Sequence, residues 1–75
     1  MSNPLPLLSG QTIIKILERI CYQPVRQRGS HIRLTRQGKR PVTVPAYHQI
    51  DRSLLRKILR DADITVETFL NLAKQ

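Results

Sequence analysis

The chain is short of acid, of cysteine and of aromatic side chains, and each shortage closes off a class of protein. Cys21 is the only cysteine, so no internal disulfide can form, and no Cys/His set has the spacing of a zinc site. The fold must stand without staples or a structural metal, and a reducing cytoplasm is the expected setting. Tyr22, Tyr47 and Phe69 are the only aromatic residues. Three rings are too few for the stacking platforms that read single-stranded bases, so recognition is expected to rest on backbone and shape. No apolar run approaches the length of a membrane span, and Leu5-Pro6-Leu7-Leu8 is too short and proline-broken for a signal sequence. Acid is the sharpest deficit, with five Asp plus Glu against thirteen Lys plus Arg and a formal net charge of +8. Nine of those cations are arginine, whose planar fork matches phosphate oxygens, which makes nucleic acid the leading partner class. With 75 residues the chain is expected to form one domain, residues 1–75, with a core too small for high stability.

The first helix is expected to start at Ser9 as N-cap and run to about Tyr22, because Ile13, Ile16, Leu17, Ile20 and Cys21 recur at helical spacing before Pro24 ends it. Cys21 then counts as a small core residue. Val25 to Arg28 and His31 to Arg36 alternate with period two, and Gly29-Ser30 is a two-residue link of the kind that closes hairpins. The register follows: Arg28 opposite His31, Gln27 opposite Ile32, Arg26 opposite Arg33, Val25 opposite Leu34. After a turn at Gln37-Gly38-Lys39, a third strand is expected over Arg40 to Val44. A three-residue loop pairs Val42 with inward Leu34, and Pro41 and Pro45 suit an edge position. Ser53 or Asp51 can cap a helix whose apolar face is Leu54, Leu55, Ile58, Leu59 and Ala62, and Thr65 can cap a short one carrying Val66, Phe69, Leu70 and Ala73. The expected fold is α+β: helix, three-stranded antiparallel sheet, helix, short C-terminal helix, with the helices on one sheet face.

Because successive strand residues point to opposite sides, Arg26, Arg28, His31, Arg33 and Thr35 should share the open face. Arg26 facing Arg33 is a repulsive pair that a polyanion would relieve. His31, presented by Gly29 and Ser30, is the candidate catalytic residue, since an imidazole beside guanidinium groups can take the proton of a ribose 2′-hydroxyl while the arginines stabilise charge on phosphoryl oxygens. Arg26, Arg28, Arg33, Arg36 and Lys39 are the candidate phosphate ligands. No clustered metal ligands are evident and no metal or other cofactor is expected.

Ser9-Gly10, Gly29-Ser30-His31, Thr43-Val44-Pro45 and Leu55-Arg56-Lys57-Ile58-Leu59, in that order over nearly the whole chain, together resemble the HicA family of bacterial toxins. The resemblance implies a fold like the double-stranded-RNA-binding domain and an endoribonuclease that cleaves mRNA, which the lack of clustered metal ligands makes a metal-independent one. It also implies a HicB-like antitoxin as partner and a match of His31 to the family's catalytic histidine. Cys21-Tyr22 stand where the family commonly has Gly-Phe, and Asp63 where a glycine usually ends the helix. The family often has a histidine two places beyond the proline, where this chain has Tyr47, with His48 next; both are candidates for the proton donor, and continued strand alternation favours Tyr47. Two other readings compete: a non-enzymatic binder of double-stranded RNA, and a helix-turn-helix DNA-binding module built from the last two helices, whose second helix carries Glu67 and no cation before Lys74.

Overall fold

The structure, a computed structural model, describes residues 5–75. In chain order they form α1 (Gly10–Glu18), β1 (Gln23–Arg28), β2 (His31–Thr35), β3 (Val42–Pro45), α2 (Arg52–Asp61) and α3 (Val66–Ala73). The strands make one antiparallel sheet in the order β1-β2-β3, so β2 is central and the fold is α+β with the expected order of elements. Among the described residues no helix is long and apolar enough to cross a membrane.

Each helix begins where a side-chain oxygen can meet a free backbone N–H. Ser9 accepts from the Thr12 amide at 3.1 Å, Asp51 from Leu54 at 2.8 Å and Thr65 from Thr68 at 3.0 Å. Asp51, not Ser53, is therefore the cap of α2. Ile13, Ile16 and Leu17 of α1, Leu55, Ile58 and Leu59 of α2, and Phe69 of α3 are buried against Ile32, Leu34, Val42 and Val44 from the inner sheet face.

α1 stops earlier than expected. It ends at Glu18, and the chain reverses where Cys21 adopts a left-handed backbone with φ 77°. The Cys21 amide donates to the Glu18 carbonyl at 3.1 Å and the Tyr22 amide to the Leu17 carbonyl at 3.2 Å, the paired bonds of a Schellman ending. This turn leaves Cys21 exposed rather than in the core and swings Tyr22 inward, fully buried, with its hydroxyl donating to the Arg40 carbonyl at 2.9 Å. α2 ends in the same way: Asp63 has φ 59°, its amide donates to Arg60, and the Ile64 amide donates to Leu59.

The hairpin register matches expectation from Arg28↔His31 to Arg26↔Arg33 and then departs from it. Pro24, not Val25, lies opposite Leu34, and Val25 is the extra residue of a bulge between Pro24 and Arg26, more than half exposed. Pro24 brings no N–H to the ladder, so the pairing is weakest where the extra residue is accommodated. Leu34 pairs with Val42 and Ile32 with Val44 as expected, but β3 starts at Val42 and the connection spans 36–41, turning where the Lys39 amide donates to the Arg36 carbonyl.

Candidate nucleic-acid interface and catalytic site

The open face of the sheet is a small grid set by the register. In one row Arg28, His31 and Pro45 lie side by side on β1, β2 and β3; in the next, Arg26, Arg33 and Thr43 do. Neighbours across strands stand about 5 Å apart and neighbours along a strand about 7 Å apart. Arg26, Arg28, His31, Arg33 and Thr43 line one shallow depression. His31 opens the central strand because Gly29, with φ 56°, makes the two-residue turn and Ser30 hands the chain directly into β2. The Gln27 side chain donates to the Gly29 carbonyl at 2.9 Å, bracing the turn. Thr43 is a member that the sequence reading passed over. Its signal was present, since Val42 and Val44 pointing inward put Thr43 outward.

The segment after β3 is tied to two other parts of the fold. The Ala46 amide donates to the Ser30 carbonyl at 2.6 Å, and the Gly10 amide donates to the Tyr47 carbonyl at 2.9 Å, so the chain is held from the hairpin on one side and from the first turn of α1 on the other. The close approach at Gly10 requires glycine: a Cβ there would collide with the Pro45 carbonyl oxygen and lie 2.9 Å from its carbonyl carbon and 3.2 Å from the Ala46 Cα. Tyr47 therefore stands beside His31, ring centroids 6.5 Å apart and planes at 70°, while its own side remains 46% exposed. His48 follows it, also exposed.

Arg36 and Lys39 are not brought into this group. Arg36 borders a separate surface depression with Cys21, Gln23, Thr35 and Gln37, and Lys39 pairs with Asp63 at 3.1 Å beyond the far end of the sheet. Thr35, at the edge of the face, is half-buried opposite Gln23. Among the described residues no three His, Cys, Asp or Glu side chains come together as a metal site would need.

Charge divides sharply along the chain. Residues 19–50 hold seven Arg plus Lys and no acid; residues 1–18 and 51–75 hold the other six cations and all five acids. The net charge of +8 is thus +7 from the sheet-bearing segment and +1 from the rest. Around α2 the carboxylates are used locally: Asp61 takes Lys57 at 3.1 Å and Arg40 at 3.9 Å. Nothing of the kind faces Arg26, Arg28 or Arg33, which make no ion pair among the described residues. The sheet face concentrates positive potential that only an outside anion can neutralise.

Comparison with known proteins places this arrangement. Searches of curated proteins and of solved structures returned no match. A family model described as the HicA toxin of bacterial toxin-antitoxin systems matches residues 10–64, from the first residue of α1 through all three strands to just past α2. That span contains every residue of the grid and is well over half of the chain, so the protein belongs to the HicA family, the toxin member of bacterial toxin-antitoxin pairs.

Proposed function

We propose that this toxin is an endoribonuclease that cleaves mRNA, that residues 1–75 form its single functional domain, and that the open sheet face is its active site. The observation that carries the reading is an exposed imidazole, His31, standing in one depression with three guanidinium groups and no carboxylate. Each part has a task in transesterification. His31 takes the proton from a ribose 2′-hydroxyl as that oxygen forms its bond to the adjacent phosphorus. The bond from phosphorus to the 5′-oxygen breaks, leaving a 2′,3′-cyclic phosphate and a 5′-hydroxyl. Arg28 and Arg33 flank His31 across and along the sheet and are placed to meet charge developing on the phosphoryl oxygens, while Arg26 holds a neighbouring phosphate. Tyr47, whose ring stands against His31, supplies the proton for the departing oxygen. Side chains thus provide base, acid and charge stabilisation, and the reaction runs without a metal.

A HicB-type antitoxin silences the enzyme by laying an acidic surface over residues 26–35, where charge complementarity is greatest. Hydrogen exchange of the toxin–antitoxin complex should show protection there. Protection confined to α2 and α3 would instead mean control from a distance. A substrate of mRNA sets the place of action in the cytoplasm.

The decisive test is incubation of the purified protein and of His31→Ala with mRNA in the presence of a chelator. The wild type should cleave; His31→Ala should lose at least about 100-fold in rate while keeping its fold and most of its RNA affinity. Equal cleavage by the two proteins overturns the assignment of His31, and RNA binding with no cleavage by either makes the protein a non-enzymatic RNA binder.

A further inference from the structure

Tyr47 is held in an unusual way for an exposed side chain. Its backbone is fixed by the Gly10 hydrogen bond at 2.9 Å, and its neighbour Ala46 by Ser30 at 2.6 Å, yet nearly half of its surface is left in water. The other large apolar side chains this exposed are Leu7, in the segment before α1, and Val25, expelled by a bulge, whereas the Tyr47 ring stands 6.5 Å from that of His31. A rigid aromatic ring left wet beside a phosphate-binding row contributes little to folding and is well suited to receive a flat apolar ligand.

We infer that Tyr47 forms a nucleobase subsite: its ring stacks on a base of the nucleotide next to the cleaved bond, and Gly10 is the positioning residue that keeps the ring there. The inference rests on the reading of the sheet face as an RNA active site. The grid supplies the geometry. The row Arg28–His31–Pro45 ends under the segment that carries Tyr47, so a phosphate held by Arg28 and His31 has Tyr47 on its β3 side and nothing aromatic on its β1 side. A base attached to that nucleotide has one π-face to meet, and it is Tyr47. Three aromatics are too few for a platform running along a strand, but one ring suffices for one base, and stacking of this kind tolerates any base. The substrate is accordingly single-stranded at the cleaved step, because a base paired within a duplex cannot offer its face to a side chain. Stacking needs the ring and proton donation needs the hydroxyl, so the two roles of Tyr47 separate by substitution.

The test measures binding without cleavage, using a mixed-sequence nine-nucleotide RNA carrying 2′-fluoro groups, which removes the attacking hydroxyl, and the same backbone with all bases removed. Wild type and Tyr47→Phe should bind the intact oligonucleotide equally, and Tyr47→Leu should bind it roughly five- to hundredfold more weakly. The abasic oligonucleotide should bind wild type and Tyr47→Leu alike. On cleavable RNA, Tyr47→Phe should lose rate while keeping affinity. Gly10→Ala should show the weakened affinity of Tyr47→Leu in protein that circular dichroism shows to be folded; the Tyr47 variants and the abasic comparison test the stacking without it if it does not fold. Equal affinity of Tyr47→Phe and Tyr47→Leu for intact RNA overturns the stacking alone, whereas a wild type that binds neither oligonucleotide overturns it together with the RNA reading.

Discussion

Arg26 and Arg33 are direct partners across β1 and β2, two like charges facing one another on the open side of the sheet, with no acid in the surrounding segment to offset them. Such a pair costs the free protein stability and is relieved when a phosphate lies between the two. Arg26→Gln and Arg33→Gln should each raise the stability of the free protein by about 0.2–1 kcal/mol. Each should also weaken RNA binding and lower the slope of log affinity against log salt by about one unit or less. Thermal melts and salt titrations check both halves, and unchanged affinity and slope in both variants would move the RNA off this face.

Of the three glycines, Gly10 alone has neighbouring backbone where a Cβ would stand. Replacing it by alanine forces a methyl group into the Pro45 carbonyl, and neither α1 nor β3 can withdraw without breaking the Gly10–Tyr47 hydrogen bond. The expected loss is about 1–3 kcal/mol or more, as for other overpacked sites, read from urea unfolding. Gly29 and Gly38 have open space around the Cβ position but positive φ, so alanine there should cost about 1–2 kcal/mol through backbone strain.

Cys21 and Asp63 hold equivalent positions in two Schellman endings, and neither is glycine. Aspartate tolerates the left-handed region better than cysteine, and Asp63 also pairs with Lys39 at a mostly exposed site whose contribution is small. Cys21→Gly should therefore stabilise the fold by up to about 1 kcal/mol, and Asp63→Gly by less. A destabilised Cys21→Gly would mean that the thiol makes a contribution its exposure does not suggest.

The Tyr22 hydroxyl titrates above the ordinary tyrosine value of 10.0, raised by burial and only partly drawn back by the positive charges of Arg36 and Lys39. Between the unfolded value and the higher folded one, the native protein keeps a proton that the unfolded chain has released, so stability falls as pH rises through that interval. Below about pH 10 the contribution is complete. Tyr22→Phe should cost about 0.5–1.5 kcal/mol at neutral pH through the lost bond to the Arg40 carbonyl. The difference between wild type and variant should shrink at strongly alkaline pH. A difference that stays constant past pH 11 would contradict this account.

Much of this site could be read from alternation alone. The Gly29-Ser30 link fixes Arg28 opposite His31, and every outward residue up to Arg26 and Arg33 follows by parity. Caps at Ser9 and Thr65 were equally legible, because a hydroxyl before an apolar periodic run has one cheap use. The bulge at Val25 was not, since an extra residue leaves no trace in a hydrophobic pattern and the valine looked like a core partner for Leu34. The end of α1 was missed for a related reason. Ile20 and Cys21 continue the helical spacing, and only the left-handed turn at Cys21 reveals that Tyr22 is the residue the core takes. Arg36 and Lys39 resemble their sheet-face neighbours in composition, and it took the connection at 36–41 to carry Lys39 over to Asp63.

β1 gives the grid two of its three arginines yet has no buried residue along its whole length. Its attachment is the ladder to β2 and little else, so it is the strand most ready to peel away, and its amides should exchange faster than those of β2 and β3 by an opening far smaller than global unfolding. That separation frees it from the core's demands. If the sheet face binds RNA as proposed, substitutions along β1 would retune grip and reach on it without disturbing the packing beneath β2 and β3. Within one small domain, β1 is where new specificity can evolve at least risk to folding.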